Sequence, residues 1–195
     1  MQKKSGKETR ILFVTSNPHK FSEAERILNE YGISIARFPT RYPEVRADEC
    51  GAVASAAASE LYRKLKQPLI LEDAGLFIKA LNGFPGAYSA WAQGKIGNRG
   101  VLNLMKGTAG RHAEFKSVYA FAKDGRIELF EGVCKGKIAH AEAGKYGFGY
   151  DPIFVPDEGT GKTFAQDPET KERVSHRRKA LVKLAKYLKK LKGDW

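Results

Sequence analysis

The stretch that decides the fold is ILFVTSNPHK, residues 11–20. Its first five residues form an apolar run, rich in β-branched side chains, with the length of a buried strand. Ser16 and Asn17 are residues that cap helices, and Pro18 suits a first helical turn because its missing N–H would have no partner there. The stretch therefore predicts a strand, a tight turn and a helix in immediate succession.

The alternation of strand and helix continues downstream. Phe21, Ala24, Leu28 and Tyr31 recur at helical spacing, and Gly32 provides a helix stop. The elements predicted next are a strand at 33–38, a helix at about 48–65 and a buried strand at 68–73 that ends on two acids. The first half of the chain is thus predicted to be an α/β unit.

The second half has the pattern of an antiparallel section. Residues 114–122 and 126–138 alternate like paired strands, and Asp124 and Gly125 between them are a strong hairpin signal. A short strand at 153–156 and a closing helix at about 174–191 complete the pattern. We therefore predict a mixed α/β fold, bent into two lobes, that occupies residues 11–195 as a single domain after an N-terminal extension of residues 1–10.

Composition narrows the class of protein. With 195 residues, 42% hydrophobic and 29% charged, the chain can bury a core without disulfides or structural metal. The net charge of +12 attracts polyanions, so nucleotides, nucleic acid and anionic membranes are all candidate partners. The two cysteines, Cys50 and Cys134, have no metal-type spacing and fit a reducing compartment. The apolar run 11–14 is too short to be a signal sequence or a membrane span, so we expect a cytoplasmic protein with no membrane partner.

The turn after the first strand is a candidate phosphate site. The backbone N–H groups that open a helix point outward, and Lys20 lies within the first turn, so Thr15, Ser16, Asn17 and Lys20 suit phosphate oxygens. The alternative is an ordinary helix cap followed by a surface lysine, since such caps are common. The segment alone does not decide between them.

Acidic residues supply a candidate magnesium site. Glu72 and Asp73 come at the end of a predicted strand, where open α/β sheets place ligand-binding groups, and Mg²⁺ prefers such hard oxygen ligands. The alternative is that they are turn residues or partners of nearby lysines. Glu44, in a short proline-containing connection, is a third acid, although by itself it has the character of a surface residue.

Two segments near the C-terminus have features of a nucleotide pocket. The loop FGYDPIF, residues 148–154, places aromatic rings that can stack on a base around Gly149, next to a carboxylate that can select by hydrogen bonding. Its alternative is a tight turn with core aromatics. Lys171, His176, Arg177 and Arg178 form a basic cluster that is also compatible with a solvated face.

Taken together and in order, these segments resemble the inosine triphosphate pyrophosphatase family from about residue 11 to residue 188. The most specific motifs are LEDAGLFIKALNGFPGAYSA and FGYDPIFVP. They are accompanied by the shorter motifs TSNPHK, YPEV, TFAQ and SHRRKAL. Because these motifs occur together and in this order, the functional interpretation of each segment is favoured over its structural alternative. The resemblance implies a long central mixed sheet with flanking helices, a nucleotide cleft between two lobes, a homodimer, and magnesium-dependent cleavage of ITP, dITP and XTP to a monophosphate and pyrophosphate.

The resemblance also implies roles for individual residues. Glu44 and Asp73 would bind Mg²⁺, and Asp73 would also be the general base. The remaining positions would hold the substrate: Thr15, Ser16, Asn17 and Lys20 the triphosphate, Phe148, Gly149, Tyr150 and Asp151 the base and sugar, and Lys171, His176 and Arg177 the C-terminal side of the pocket.

Three positions depart from the family pattern. Ala74 stands where the family commonly has serine, so a hydroxyl contact to the substrate is missing. Arg46 replaces a frequent glutamine and Arg178 a frequent glycine.

Two other functions compete with this reading. A non-catalytic nucleic-acid-binding protein would explain the net charge and the lysine-rich last helix, but that helix has leucines on one face and is better explained as a packed peripheral helix. We therefore expect no specific nucleic acid partner. The nearer rival is a related pyrophosphatase for modified pyrimidine or methylated nucleotides.

Overall fold

The computed structural model describes residues 10–40, 45 and 47–191. The predicted extension, residues 1–10, lies outside this range except for its last residue. The strands are β1 Ile11–Val14, β2 Ile35–Phe38, β3 Leu69–Ile78, β4 Pro85–Gly86, β5 His112–Lys123, β6 Arg126–Ile138 and β7 Phe154–Pro156. The helices are α1 Pro18–Asn29, α2 Cys50–Leu65, α3 Ser89–Leu104, α4 Pro168–Val174 and α5 His176–Lys190, with short 3₁₀ turns at Lys79–Leu81 and Asp151–Ile153.

The strands of the described chain form one mixed sheet in the order β2-β1-β3-β5-β6-β7, with β4 added to β3. β1 is parallel to both β2 and β3, as the predicted α/β unit requires. β3, β5 and β6 are antiparallel, and the predicted hairpin is confirmed because β6 runs from Arg126 to Ile138. The predicted mixed α/β class is therefore confirmed.

The first lobe is the end of the sheet that β1, β2 and the first half of β3 build with α1, α2 and α5. Strand alternation sorts its side chains into two cores. Ile70 and Tyr119 point to the face that α1 and α5 cover, whereas Leu69, Leu71 and Val118 point to the face that α2 covers. β1 and the first half of β3 are largely buried on both faces, which is why they read as continuous apolar runs, whereas the edge strand β2 is only partly buried.

β3 is longer than its predicted span, which ended on the two acids. It continues to Ile78 because β5 pairs with it along its whole length, from Leu69 opposite Ala122 to Ile78 opposite Ala113. The prediction that the acids end a strand is therefore wrong. They lie in the middle of β3, just past the last β1 residue paired with it, Val14.

The second lobe is built by the far ends of β3, β5 and β6 with β4, β7, α3 and α4. Its core contains Leu76, Val101, Phe154 and Phe164. α3 was not predicted, and its path is interrupted at Gly97 by a φ of 59°. Three glycines within seven residues hide the helical period of this segment.

The predicted closing helix is confirmed as α5, while α4, which directly precedes it, was not predicted. Ser175 separates α4 from α5 and caps α5, because its hydroxyl accepts a hydrogen bond from Arg178 N–H. α5 packs its leucines inward, as predicted, and its first turn lies directly on β6. A Cβ atom at Gly132 would meet the His176 carbonyl oxygen at 2.1 Å and the Ala180 nitrogen at 2.4 Å. Only glycine permits this approach.

Within the described residues, none of the helices is both long and apolar enough to span a bilayer. Cys50 and Cys134 are buried free thiols.

Candidate active site

The turn between β1 and α1 is the helix N-terminus that the sequence predicts. Asn17 is the cap, since its Oδ1 accepts hydrogen bonds from His19 N–H at 2.9 Å and Lys20 N–H at 3.2 Å. The Thr15 hydroxyl accepts a hydrogen bond from Asn17 N–H, and the Ser16 carbonyl accepts one from Arg37. This fixed turn presents the positive end of α1 and the side chain of Lys20 to the cleft.

Glu72 is the centre of an ion-pair network on the α1/α5 face of the sheet. Its carboxylate is 3.1 Å from Lys20 Nζ and 2.8 Å from Arg177 Nε, and it accepts a hydrogen bond from Ser117 at 2.6 Å. Burial raises the pKa of Glu72, but Arg177, Lys20 and Ser117 outweigh burial and hold this pKa far below its usual range. Glu72 is therefore a permanent anion that orients two cations.

Asp73 follows Glu72 on the strand and so points to the opposite face. There the Cys50 thiol, at the start of α2, hydrogen-bonds to it, and burial raises the pKa of this thiol first, with Asp73 adding to the effect. Asp73 is half-buried, whereas Glu72 is 5% exposed. Asp73 is thus the more exposed acid of the pair and lies on the other face of β3.

The predicted magnesium ligands are only partly described. Glu44 and the departure Arg46 lie outside the described residues. In the described part of the chain there is no cluster of three or more His, Cys, Asp or Glu side chains that could hold a metal. A site of this kind still fits Mg²⁺, because Mg²⁺ is commonly bound by one or two carboxylates together with substrate phosphates and water.

The loop after residue 147 forms the opposite wall. Gly149 adopts a φ of 60°, a left-handed conformation that glycine adopts without strain. Asp151 Oδ2 accepts hydrogen bonds from Phe148 N–H and from Lys171 Nζ, each at 2.8 Å. Burial raises the pKa of Asp151, and Lys171 opposes this only in part. Tyr150 donates a hydrogen bond to the Ser89 carbonyl and so fastens the loop to α3.

The ring of Phe148 has three close neighbours. Lys171 Nζ lies 4.6 Å and Arg177 Cζ lies 5.4 Å from its centroid, which are cation–π distances. The third neighbour is the imidazole of His19, on α1, which is stacked on Phe148 with ring centroids 5.2 Å apart and ring planes 18° apart.

His176 is enclosed at the N-terminus of α5. It is 3% exposed and stacks on Phe115 with centroids 4.5 Å apart. Burial and then Arg177 lower the pKa of His176 well below its usual range, so the imidazole is neutral. Its Nδ1 is buried without a hydrogen-bond partner in the described structure.

Sequence reasoning missed several residues of the site, among them Glu23 and Gln93. Glu23 binds Lys171 at 2.8 Å and Arg177 at 2.5 Å, and its place three residues after Lys20 on α1 was the available signal. Gln93 donates a hydrogen bond to the Gly149 carbonyl, while its Oε1 is buried and has no hydrogen-bond partner among the described residues. No sequence signal pointed to Gln93, because α3 itself was not predicted.

The structure brings most of the predicted residues around one cleft of about 280 Å³ between the lobes. Its walls include Asn17, Lys20, Ala74, Phe148, Tyr150, Asp151, His176 and Arg177, together with Gly75, Ser89, Ala90, Gln93 and Phe115. Lys171 contacts this wall through Asp151 and Phe148. Asp73 does not line the cleft.

The two departures that the structure describes differ in importance. Ala74 lies in the cleft wall, where a serine hydroxyl would face a ligand. Arg178 points away from the cleft and forms a bidentate surface ion pair with Glu30, with N–O distances of 2.9 and 2.6 Å.

The chain is similar to known proteins over most of its length. The model of the Ham1 family matches residues 11–187. A dITP/XTP pyrophosphatase of Methanopyrus kandleri is 46% identical over 182 residues, which cover 92% of this chain and 96% of that protein. A dITP/XTP pyrophosphatase of Pyrococcus horikoshii is 45% identical over 181 residues and covers 92% of this chain and 97% of its own length.

Solved structures have the same fold. A HAM1 protein from Coxiella burnetii is 30% identical, with a TM-score of 0.82 over 93% of this chain and 99% of that chain. The Staphylococcus aureus Ham1 protein is 28% identical, with a TM-score of 0.79 over 92% of this chain and 99% of its own.

Proposed function

The chain belongs to the Ham1 family, and from this premise we propose that it hydrolyses non-standard purine nucleoside triphosphates, dITP, ITP and XTP, to a monophosphate and pyrophosphate. The observation that carries the proposal is the cleft itself. It joins a helix N-terminus with a lysine, suited to phosphates, to a pocket with Phe148, Asp151 and His176, suited to a base.

The triphosphate binds at the α1 end of the cleft in this proposal. The outward N–H groups of the first turn and the ammonium of Lys20 neutralise phosphate charge. Lys20 is held at 3.1 Å by Glu72 and its side chain is 22% exposed, so it is oriented but still accessible. Thr15 and Asn17 keep the turn in shape, while Ser16 is exposed at its tip.

Asp73 is the residue we propose as the base that accepts a proton from the attacking water. The water attacks the α-phosphorus and the bond from this phosphorus to the oxygen that bridges to the β-phosphate breaks, so that pyrophosphate leaves. Glu72 cannot replace Asp73 in this role, because its charge is bound by Arg177, Lys20 and Ser117. A depressed pKa makes it a weak base.

Magnesium is part of the proposal, with Asp73 and Glu44 as its protein ligands. When bound with the triphosphate, the ion supplies charge neutralisation and orientation of the leaving group. Removal of magnesium with excess EDTA should abolish turnover. Full activity in EDTA would remove the metal from the mechanism.

The base is selected at the α5 end of the cleft. A neutral His176 offers one donor and one acceptor, and Arg177 offers donors, which suit the 6-keto group of hypoxanthine or xanthine. Adenine presents a 6-amino donor, which cannot pair with the donors of Arg177, and an unpaired buried donor is costly. We therefore expect ATP to be a poor substrate.

A homodimer is the proposed assembly. Four large apolar side chains, Phe84, Tyr88, Trp91 and Ile96, are exposed on the β4–α3 segment, and Trp91 is 63% exposed. Apolar side chains grouped in this way are typical of a protein–protein contact. Light scattering of the wild type and of Trp91→Glu tests the assembly, since the substitution should give monomers. We also propose a cytoplasmic location, which the two free thiols support.

One experiment tests the reaction. The purified chain is incubated with Mg²⁺ and ITP, dITP, XTP, GTP, ATP, dUTP or a methylated nucleotide, and the products are separated. Monophosphate and pyrophosphate from ITP, dITP and XTP, with slow ATP turnover, are the expected result. A diphosphate and orthophosphate would show that the cleavage site is wrong, and preference for dUTP or a methylated nucleotide would favour a different pyrophosphatase specificity.

A further inference from the structure

His19 makes a contact that the proposed reaction does not use. It is the second residue of α1, on the first lobe, and its exposed side chain reaches across the cleft to Phe148 on the second lobe. The two rings are stacked at 5.2 Å with an angle of 18° between their planes. The contact therefore joins the two walls at the edge of the nucleotide cleft.

The stacked pair leaves no space for a base between the rings. A base inserted between two aromatic planes needs them roughly 7 Å apart, which is two carbon contacts of about 3.5 Å each. The base can stack on the His19 side of Phe148 only after the imidazole has moved away.

His19 is the neighbour of Phe148 that can move. The other two side chains over the ring, Lys171 and Arg177, are 8% and 4% exposed and are tied to Glu23, with further pairs to Asp151 and Glu72. His19 is exposed and forms no ion pair within the described residues. Displacement of His19 costs one stacking contact, whereas displacement of either cation would break buried ion pairs.

Resting on the proposed function, we propose that His19 in the free protein occupies the place on Phe148 that the purine base takes in the complex. His19 is thus a gate residue that competes with the base. Every nucleotide binds with an affinity reduced by the strength of the ring pair, and bases that stack strongly displace the imidazole more easily than weakly stacking bases do. Purines are favoured over pyrimidines for this reason, in addition to any hydrogen-bond selection.

Steady-state kinetics with ITP separate this role from others. His19→Ala should lower KM by about two- to tenfold, the contribution typical of an aromatic pair, with kcat unchanged. His19→Phe keeps a stacking ring and should retain the wild-type KM or a higher one. His140→Ala is the matched control, since His140 is exposed and makes no stacking contact with Phe148, and its KM should not change.

Nuclear magnetic resonance of the free protein gives an independent readout. The ring protons of His19 should be shifted by the ring current of Phe148, and the shift should disappear in Phe148→Leu. Titration of the wild type with inosine monophosphate, the expected product, should remove the same shift.

The outcomes separate the two proposals. If wild-type protein hydrolyses ITP but His19→Ala leaves KM unchanged or raises it, the gate is overturned and the proposed function stands. A raised KM that depends on salt would instead assign His19 to the phosphates. If wild-type protein neither hydrolyses nor binds inosine nucleotides, both proposals fall together.

Discussion

Two adjacent acids of β3, Glu72 and Asp73, point to opposite faces of the sheet and differ in their surroundings. On the α1/α5 face, Glu72 is buried among Lys20, Arg177 and Ser117, and its charge is fully matched. On the α2 face, Asp73 is half-buried and lies beside the Cys50 thiol. The difference follows from strand alternation, which directs one acid to the two cations and leaves the other on the opposite face, where it is more exposed.

The largest expected effect is on the α1/α5 face, where Glu72 lies. Glu72→Gln keeps the shape of the side chain but leaves Arg177, which is 4% exposed, and Lys20 without their shared anion. Breaking a buried pair in this way should lower the free energy of unfolding by roughly 3–5 kcal/mol. Urea denaturation measures the loss.

The control for this substitution is an exposed pair of similar geometry. Glu30→Gln removes the surface partner of Arg178 and should change the free energy of unfolding by less than about 1 kcal/mol. Equal losses in both variants would mean that the Glu72 network is not a special source of stability.

Asp73, on the α2 face, should show the reverse profile. Asp73→Asn removes the proposed base and magnesium ligand, so kcat should fall by at least about 10²-fold while the denaturation midpoint stays close to that of the wild type. A folded Asp73→Asn variant with nearly normal kcat would refute this assignment.

The next prediction concerns Lys20, which lines the cleft and forms an ion pair with Glu72 on the α1/α5 face. Lys20→Ala removes a cation from the triphosphate but leaves Arg177 to hold Glu72, so kcat/KM should fall by about tenfold, mainly through KM. Saturating ITP should therefore restore Lys20→Ala in part and Asp73→Asn hardly at all. Identical behaviour of the two variants would show that Lys20 and Asp73 do not have different roles in the reaction.

The smallest effect concerns the dependence of stability on pH. His176 is neutral when folded because burial lowers its pKa, whereas an unfolded chain protonates it below about pH 6.5. The free energy of unfolding should therefore decrease as the pH falls below about 6.5, by up to about 1.4 kcal/mol per pH unit. His176→Phe should reduce this slope, and equal slopes would mean that His176 is charged in the folded protein.

The local patterns predicted the elements where sequence period and pairing agree. β6 matches its predicted bounds because alternation and a strong turn at Asp124 and Gly125 act together. α3 was missed because its glycines carry no periodic signal, and its position depends on hydrogen bonds from distant residues, such as Leu76 N–H to the Ser89 hydroxyl and the Tyr150 hydroxyl to the Ser89 carbonyl. Such contacts are not readable from local sequence.

The same division holds for the site. The residue types of the phosphate turn and the aromatic loop were identified, and the structure places most of them on one cleft. The opposite orientations of Glu72 and Asp73 were not predicted, because the strand was expected to end there and a turn has no alternation. The roles of individual residues in the reaction stay predictions until the variants are measured.

The contact of Gly132 with the first turn of α5 offers a handle for protein engineering. The two pocket residues at the start of α5, His176 and Arg177, owe their depth in the cleft to a missing side chain on β6, 44 positions earlier than His176. A designer who wishes to accommodate a bulkier base need not alter any residue that touches it. Replacement of Gly132 by alanine would force the first turn of α5 away from β6, and with it His176 and Arg177, while every residue that lines the cleft keeps its identity.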